Sequence, residues 1–287
     1  MLSYFRASRH PRPESKRRRR TADKSTARRG AFRAFGWEQL EHRVLLAAAP
    51  ATITWTGAVD TDWSTPGNWD LDRAPINGDS LVFPTGAQHL ANNNDIAGLS
   101  VNSVTFQGTF TAGGGYTLSG DDLTVGAGGI DDSSSVNGAT ATIANQIDFN
   151  VALGAAQSWS VDDNYSYTQR QLIVNGNVAN NGLALTANGT GTIDITGEIS
   201  GSGSLSVVGV PAGVLEGQPT GGTFGGLTLE LNHTNTYTGG TYVYDSASVA
   251  VSADGALGPG GTNDNGTTIA PGGEILFNAV AYNSPEA

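Results

Sequence analysis

Beyond residue 50 apolar and polar residues alternate in short segments, each closing on glycine or asparagine. SVTFQG (Ser103–Gly108), YTLSG (Tyr116–Gly120), LTVGAG (Leu123–Gly128), TIDITG (Thr192–Gly197), SLSVVG (Ser204–Gly209) and LTLELN (Leu227–Asn232) all have this form. A period of two with β-branched enrichment predicts strands with one buried face. The closing Gly or Asn supplies the positive φ of a tight turn. Longer phrases recur in kind but never repeat: ATIANQIDFNVAL (141–153), QLIVNGNVANNGLALTANG (171–189) and GTIDITGEISGSGSLSVVG (191–209). Each holds two or three strand-length pieces that cannot bury an apolar face alone, so stacking as successive rungs of a solenoid is expected. Ile193, Ile195, Ile199, Leu205 and Val207 alternate with polar neighbours and are the expected inward positions.

Charge divides the chain into two unlike parts. The first 46 residues hold 13 basic groups against Glu14, Asp23, Glu38 and Glu41, a net of +9. The remainder carries 22 acidic residues against Arg73 and Arg170 alone, a net of −20. Of the 40 glycines only Gly30 and Gly36 fall in the basic head, so the turn-rich texture belongs to the acidic body. Cysteine is absent, which removes disulfides, thiolate metal sites and thiol nucleophiles. No segment approaches the roughly 18 apolar residues of a membrane-spanning helix.

The head, with Lys16-Arg17-Arg18-Arg19-Arg20 and Arg28-Arg29, reads as a disordered targeting segment rather than a nucleic-acid arm. A body at −20 would repel phosphate along its whole length, so no nucleic-acid partner is expected. From Trp37 to Ala51 the chain passes from charge to a short apolar run and then to small residues, the layout of an export signal. Leu40-Glu41-His42-Arg43-Val44-Leu45-Leu46-Ala47 resembles the LEPR-XLL motif of large extracellular proteins of planctomycete bacteria, with His42 in place of the usual proline. The matched positions are Leu40, Glu41, Arg43, Leu45 and Leu46. The resemblance implies a secreted or cell-surface destination.

Trp55, Trp63 and Trp69 lie close together among turn residues. They could offer aromatic faces to sugars, but the favoured reading is a plug for the open end of the stack, where bare strand edges invite aggregation. The surrounding W-T-G, N-W and V-F phrases resemble the opening segment of repeat-bearing bacterial surface proteins. Further on, GGLTLELNHTNTYTGGTYV (Gly225–Val243) resembles the autotransporter-associated β-strand repeat. Its core is Asn235-Thr236-Tyr237-Thr238-Gly239-Gly240-Thr241, and it departs from the usual form at Glu230, Asn232 and His233. Leu153–Val161 and Ile199–Leu205 resemble phrases that precede this repeat. The resemblance implies a right-handed parallel β-helix in an exported passenger region. Within the core, Gly239-Gly240 is expected to make a sharp corner and Asn235 to ladder with asparagine of the next rung.

No catalytic set is recognisable. The body's two histidines, His89 and His233, are far apart in sequence, and no Ser/His/Asp arrangement or metal-spaced histidine pair exists. A glycosidase would need two facing carboxylates, for which Asp121, Asp122, Asp131, Asp132, Asp162 and Asp163 are the candidates. The same acidic pairs suit calcium, and Ser119–Asp132 faintly resembles a calcium-binding β-roll without its nine-residue period. No cofactor is expected, weakly bound calcium being the one exception this chemistry allows.

The resulting expectation is an all-β chain: a basic leader over 1–49, a Trp-rich cap over 50–110 and a right-handed parallel β-solenoid over 111–287. GGEILFNAVAYNSPEA (272–287) reads as one more rung with no cap after it, so a fragment of a longer solenoid is expected. The expected role is structural or adhesive and not enzymatic, with other cell-surface components or extracellular polysaccharide as partners. A stacked aromatic row or a facing carboxylate pair on one face would favour a carbohydrate-binding or carbohydrate-cleaving β-helix. Metal-dependent folding would instead favour a calcium-dependent surface-layer protein.

Overall fold

Parallel strands stacked rung upon rung account for almost all the regular structure. The computed structural model describes residues 48–111, 113–136, 142–162, 169–210, 226–259 and 266–281. The expected export motif and most of the basic leader lie outside these residues. The first rungs comprise β1 (Thr52–Thr54), β2 (Ser80–Pro84), β3 (Ala91–Asn94), β4 (Ser100–Phe110), β5 (Thr117–Gly120), β6 (Leu123–Val136) and β7 (Thr142–Ile147). The middle rungs comprise β8 (Val151–Leu153), β9 (Gln157–Val161), β10 (Gln169–Val174), β11 (Val178–Ala179), β12 (Leu185–Gly189), β13 (Thr192–Ile195), β14 (Ile199–Ser200), β15 (Leu205–Gly209) and β16 (Thr228–Leu231). The last comprise β17 (Thr241–Tyr244), β18 (Ser248–Val251), β19 (Thr267–Ile269) and β20 (Glu274–Phe277). No α-helix occurs among the described residues.

The long face runs β1-β2-β4-β6-β9-β12-β15-β17-β19, and the second face runs β3-β5-β7-β10-β13-β16-β18-β20. A short third strip, β8-β11-β14, joins the long face through Leu123–Val125 of β6. Every strand pairing is parallel, the mark of a solenoid whose coil returns in the same direction on each turn.

Register explains the absence of an exact sequence repeat. Gln157 pairs with Leu185, Leu185 with Leu205, Leu205 with Thr241 and Thr241 with Thr267, so successive rungs are 28, 20, 36 and 26 residues apart. The loops vary while the strands stay in step. On the inner side of the long face one row runs Leu81, Val104, Ile130, Trp159, Ala187, Val207, Val243 and Ile269. The facing row runs Leu118, Ile147, Val174, Ile195, Leu231, Val251 and Phe277. Ile193, Ile195, Ile199, Leu205 and Val207 are all buried, as the alternation predicts. Each such aliphatic residue contributes about 1.5–3 kcal/mol by leaving water. At the last described rung Ile269 and Phe277 occupy inward register positions yet are exposed.

On the side away from β4, strand β6 serves two neighbours: Leu123–Val125 pairs with β8 and Ile130–Asp132 with β9. The bend between falls at Gly129, with φ +67° and the Ser158 carbonyl 1.9 Å from where a Cβ would stand. Only glycine fits there.

The first rung is closed by the tryptophans. Trp55, Trp63 and Trp69 are fully buried. Trp69 meets Trp55 edge-on at 5.1 Å and Trp63 at 6.0 Å, and all three contact Phe83. Their indole N–H groups donate to His89 O, Asn92 Oδ1 and Trp63 O respectively, so none buries an unmet donor. The loop carrying them is held by buried Asn68, whose Oδ1 accepts from Val59 N and Asp60 N while Nδ2 donates to Asp60 Oδ1 and Asp62 O. Rings buried in this way have no free face for sugar.

Candidate functional site

The repeat core sits at the corner entering β17 and binds one rung to the next. Asn235 is buried, and its Oδ1 accepts from Ile199 N at 2.7 Å while Nδ2 donates to Ala256 O at 2.5 Å. The expected asparagine-to-asparagine ladder at this position is thus replaced by bonds to backbone on either side. Thr236 Oγ1 donates to Glu198 Oε1, Thr238 N to Gly201 O, and the buried Tyr237 hydroxyl lies 2.6 Å from Thr241 Oγ1. Gly239 does not adopt the positive φ expected of a corner glycine. Its requirement is closeness: a Cβ would stand 2.2 Å from the Gly203 carbonyl oxygen of the preceding rung.

At another corner a chain of side-chain-to-backbone bonds runs from rung to rung. Asp122 Oδ1 accepts from Asn150 N, Asn150 Oδ1 from Asn177 N, and Asn177 Oδ1 from Glu198 N. Asp122, Asn150 and Asn177 line a groove of about 640 Å³ at the third strip, together with the small residues Ala152, Ala179 and Ser200. Asp121 also lies on this groove and is exposed.

Among the remaining candidates Asp131 and Asp162 lie within reach of one another: burial raises the Asp162 carboxyl first, the Asp131 charge raises it further, and the charge of Arg170 opposes both. Asp131 points outward and accepts from Ser160 Oγ, whereas Asp132, one residue on, points into the core. Asp132 accepts from Ser134 Oγ, Ser134 N and Asn145 Nδ2. Burial pushes its carboxyl up, and those three bonds with the charge of buried Arg170 oppose the rise. With no exposed surface, Asp132 cannot touch a substrate. Asp162 is exposed at the end of β9, and Asp163 lies outside the described residues. Among the described residues no three acidic or histidine side chains converge as a cation site. His89 Nδ1 donates to Gly57 O, and His233 is exposed with Nδ1 donating to Thr234 O.

Arg73 makes a bidentate pair with Asp79, Nη1 to Oδ2 at 2.6 Å and Nη2 to Oδ1 at 2.8 Å. Asp79 is fully buried and also accepts from Ala51 N and Ile76 N. Burial alone would raise its carboxyl. The Arg73 bonds, the two backbone donors and the Arg73 charge together hold it below its ordinary value.

One aromatic pair escapes the core. Tyr242 and Tyr244 alternate with buried Val243 on β17, so both project from the outer side of the long face and are part-exposed. Their rings are parallel to within 10°, with centroids 6.3 Å apart. Tyr242 leans back along the strand over Gly240: a Cβ there would stand 2.9 Å from its hydroxyl and 3.0 Å from Cζ. In register beside Tyr242 lie Ser206 on one side and Thr268 on the other. The TYVY alternation was legible in the sequence, but as a strand pattern rather than as a surface feature.

No family model, curated protein or solved structure matches this chain. The class that the fold defines is the parallel β-solenoid.

Proposed function

We propose that this chain is a passenger-type structural and adhesive β-solenoid of a secreted or cell-surface protein, without catalytic activity, that presents an extended surface outside the cell. The observation that carries this reading is the use of the repeat core. Asn235, Thr236, Tyr237, Thr238 and Gly239 are all engaged in joining rung to rung, which is the work of a stalk. The likeness of that core to the autotransporter-associated repeat, and of Leu40–Ala47 to LEPR-XLL, supports export. The strongly acidic, cysteine-free body suits a surface that builds its own core without disulfides.

Labelling of intact source cells with an antibody against the body tests the proposal. Surface signal that disappears after external protease is the expected result. Signal appearing only after lysis would overturn it.

A further inference from the structure

We infer that Tyr242 and Tyr244 form a shelf on which a neutral saccharide stacks, and that a β-linked polymer of pyranose rings is the class of ligand it takes. This rests on the adhesive reading and supplies it with a site.

Tyrosine on the solvent face of a strand usually packs across to a partner on the next strand. Here the in-register neighbours of Tyr242 are Ser206 and Thr268, and Tyr244 faces Val208, so among the described residues neither ring meets another across the sheet. The two rings instead lie parallel along a single strand, an arrangement that adds little to rung pairing. Gly240 makes the arrangement feasible. Any side chain there would meet the Tyr242 ring, and its absence lets the ring lie down toward the sheet. Gly240 thus has a different task from Gly239, which admits the backbone of the preceding rung.

Parallel aromatic faces give an apolar platform with polar tips, the chemistry that suits the flat C–H face of a pyranose and its equatorial hydroxyls. The backbones of Ser206 and Thr268, whose side chains carry hydroxyls, stand about 4.8 Å to either side of the Tyr242 backbone, the spacing of adjacent strands. Those hydroxyls can donate to and accept from sugar hydroxyls. Electrostatics selects the sugar: the body carries −20 and exposed Asp245 follows Tyr244 directly, so an acidic polysaccharide is repelled.

Affinity electrophoresis of the full chain through gels containing a soluble neutral β-glucan, polygalacturonate or no polymer tests the inference. Retardation by the β-glucan alone is expected. The Tyr242→Ala/Tyr244→Ala double variant should weaken it about ten-fold or more, because each stacked ring contributes on the order of 1 kcal/mol. Tyr242→Phe/Tyr244→Phe should keep most of the binding, since the faces remain. Far-UV circular dichroism and Tm establish that each variant is folded. Undiminished binding by the alanine variant, preference for polygalacturonate, or no retardation by the β-glucan would each overturn the shelf. Surface labelling of cells is read independently, so a surface-displayed protein that ignores β-glucan defeats the shelf and leaves the display role standing.

Discussion

Replacing Glu230 with glutamine removes a charge that the fold places opposite another of the same sign. Asp194 and Glu230 are direct register partners on β13 and β16, both on the outer side of the second face. Adjacent parallel strands set their backbones about 4.8 Å apart. Burial raises the Glu230 carboxyl first, the Asp194 charge raises it further, and a hydrogen bond with Asn232 opposes both. Asp194 is likewise raised by burial and opposed by Asn232 Nδ2, which donates to its Oδ1 at 2.7 Å. Two like charges about 5 Å apart repel by about 3 kcal/mol at an effective dielectric near 20 and by about 0.8 kcal/mol in bulk water. Both groups are part-exposed, so the lower end applies and about 1 kcal/mol is expected. For a domain of this size that corresponds to a rise in Tm of about 2–4 °C at pH 7.

The pH dependence sharpens the test. A carboxyl raised in the folded state keeps its proton where the unfolded chain has released one. Stability therefore falls as pH rises through the window between the ordinary carboxylate value and the raised one. Glu230→Gln should melt higher than the native chain at pH 7, and the gap should close as pH approaches about 4. Thermal melts followed by circular dichroism at both pH values read this directly. A variant no more stable at pH 7, or a gain of equal size at pH 4, would refute the reasoning.

Three further outcomes follow from named contacts. Asp79→Asn should cost about 3 kcal/mol at pH 7 by stranding Arg73. Because the Asp79 carboxyl is held below its ordinary value, that contribution is present above the ordinary value and lost as pH falls through the lowered one. Urea denaturation should accordingly show the full deficit at pH 7 and a deficit that shrinks as the medium is made more acidic than the ordinary carboxylate value. Trp63→Ala should cost about 3–5 kcal/mol by opening the first rung and stripping Asn92 Oδ1 of its donor, with proteolytic cleavage appearing first between residues 55 and 90. Asn235→Ala should cost about 2–4 kcal/mol by orphaning Ile199 N–H and the Ala256 carbonyl, and hydrogen exchange at Ile199 should accelerate.

Alternation of apolar and polar residues was enough to predict strands and their buried faces, because a period of two leaves few other ways to shelter half of each segment, whereas the parallel direction of the stack was expected only from the resemblance to the repeat family. Ile193, Ile195, Ile199, Leu205 and Val207 were legible for that reason. The burial of Trp55, Trp63 and Trp69 agrees with the reading of large apolar rings set among turn residues as packing groups rather than as a sugar platform. What one strand's pattern cannot carry is the register between rungs 20 to 36 residues apart, since loops of any length close at nearly the same entropic cost. Register decided that Asn235 bonds the backbone of Ile199 and Ala256, while Asn150 accepts from Asn177 N and Asn177 from Glu198 N. Register also set Asp194 against Glu230 and, among the described residues, left Tyr242 and Tyr244 without an aromatic partner across the sheet. Local patterning decides which side of a strand a residue occupies; only the stacked rungs decide what stands beside it.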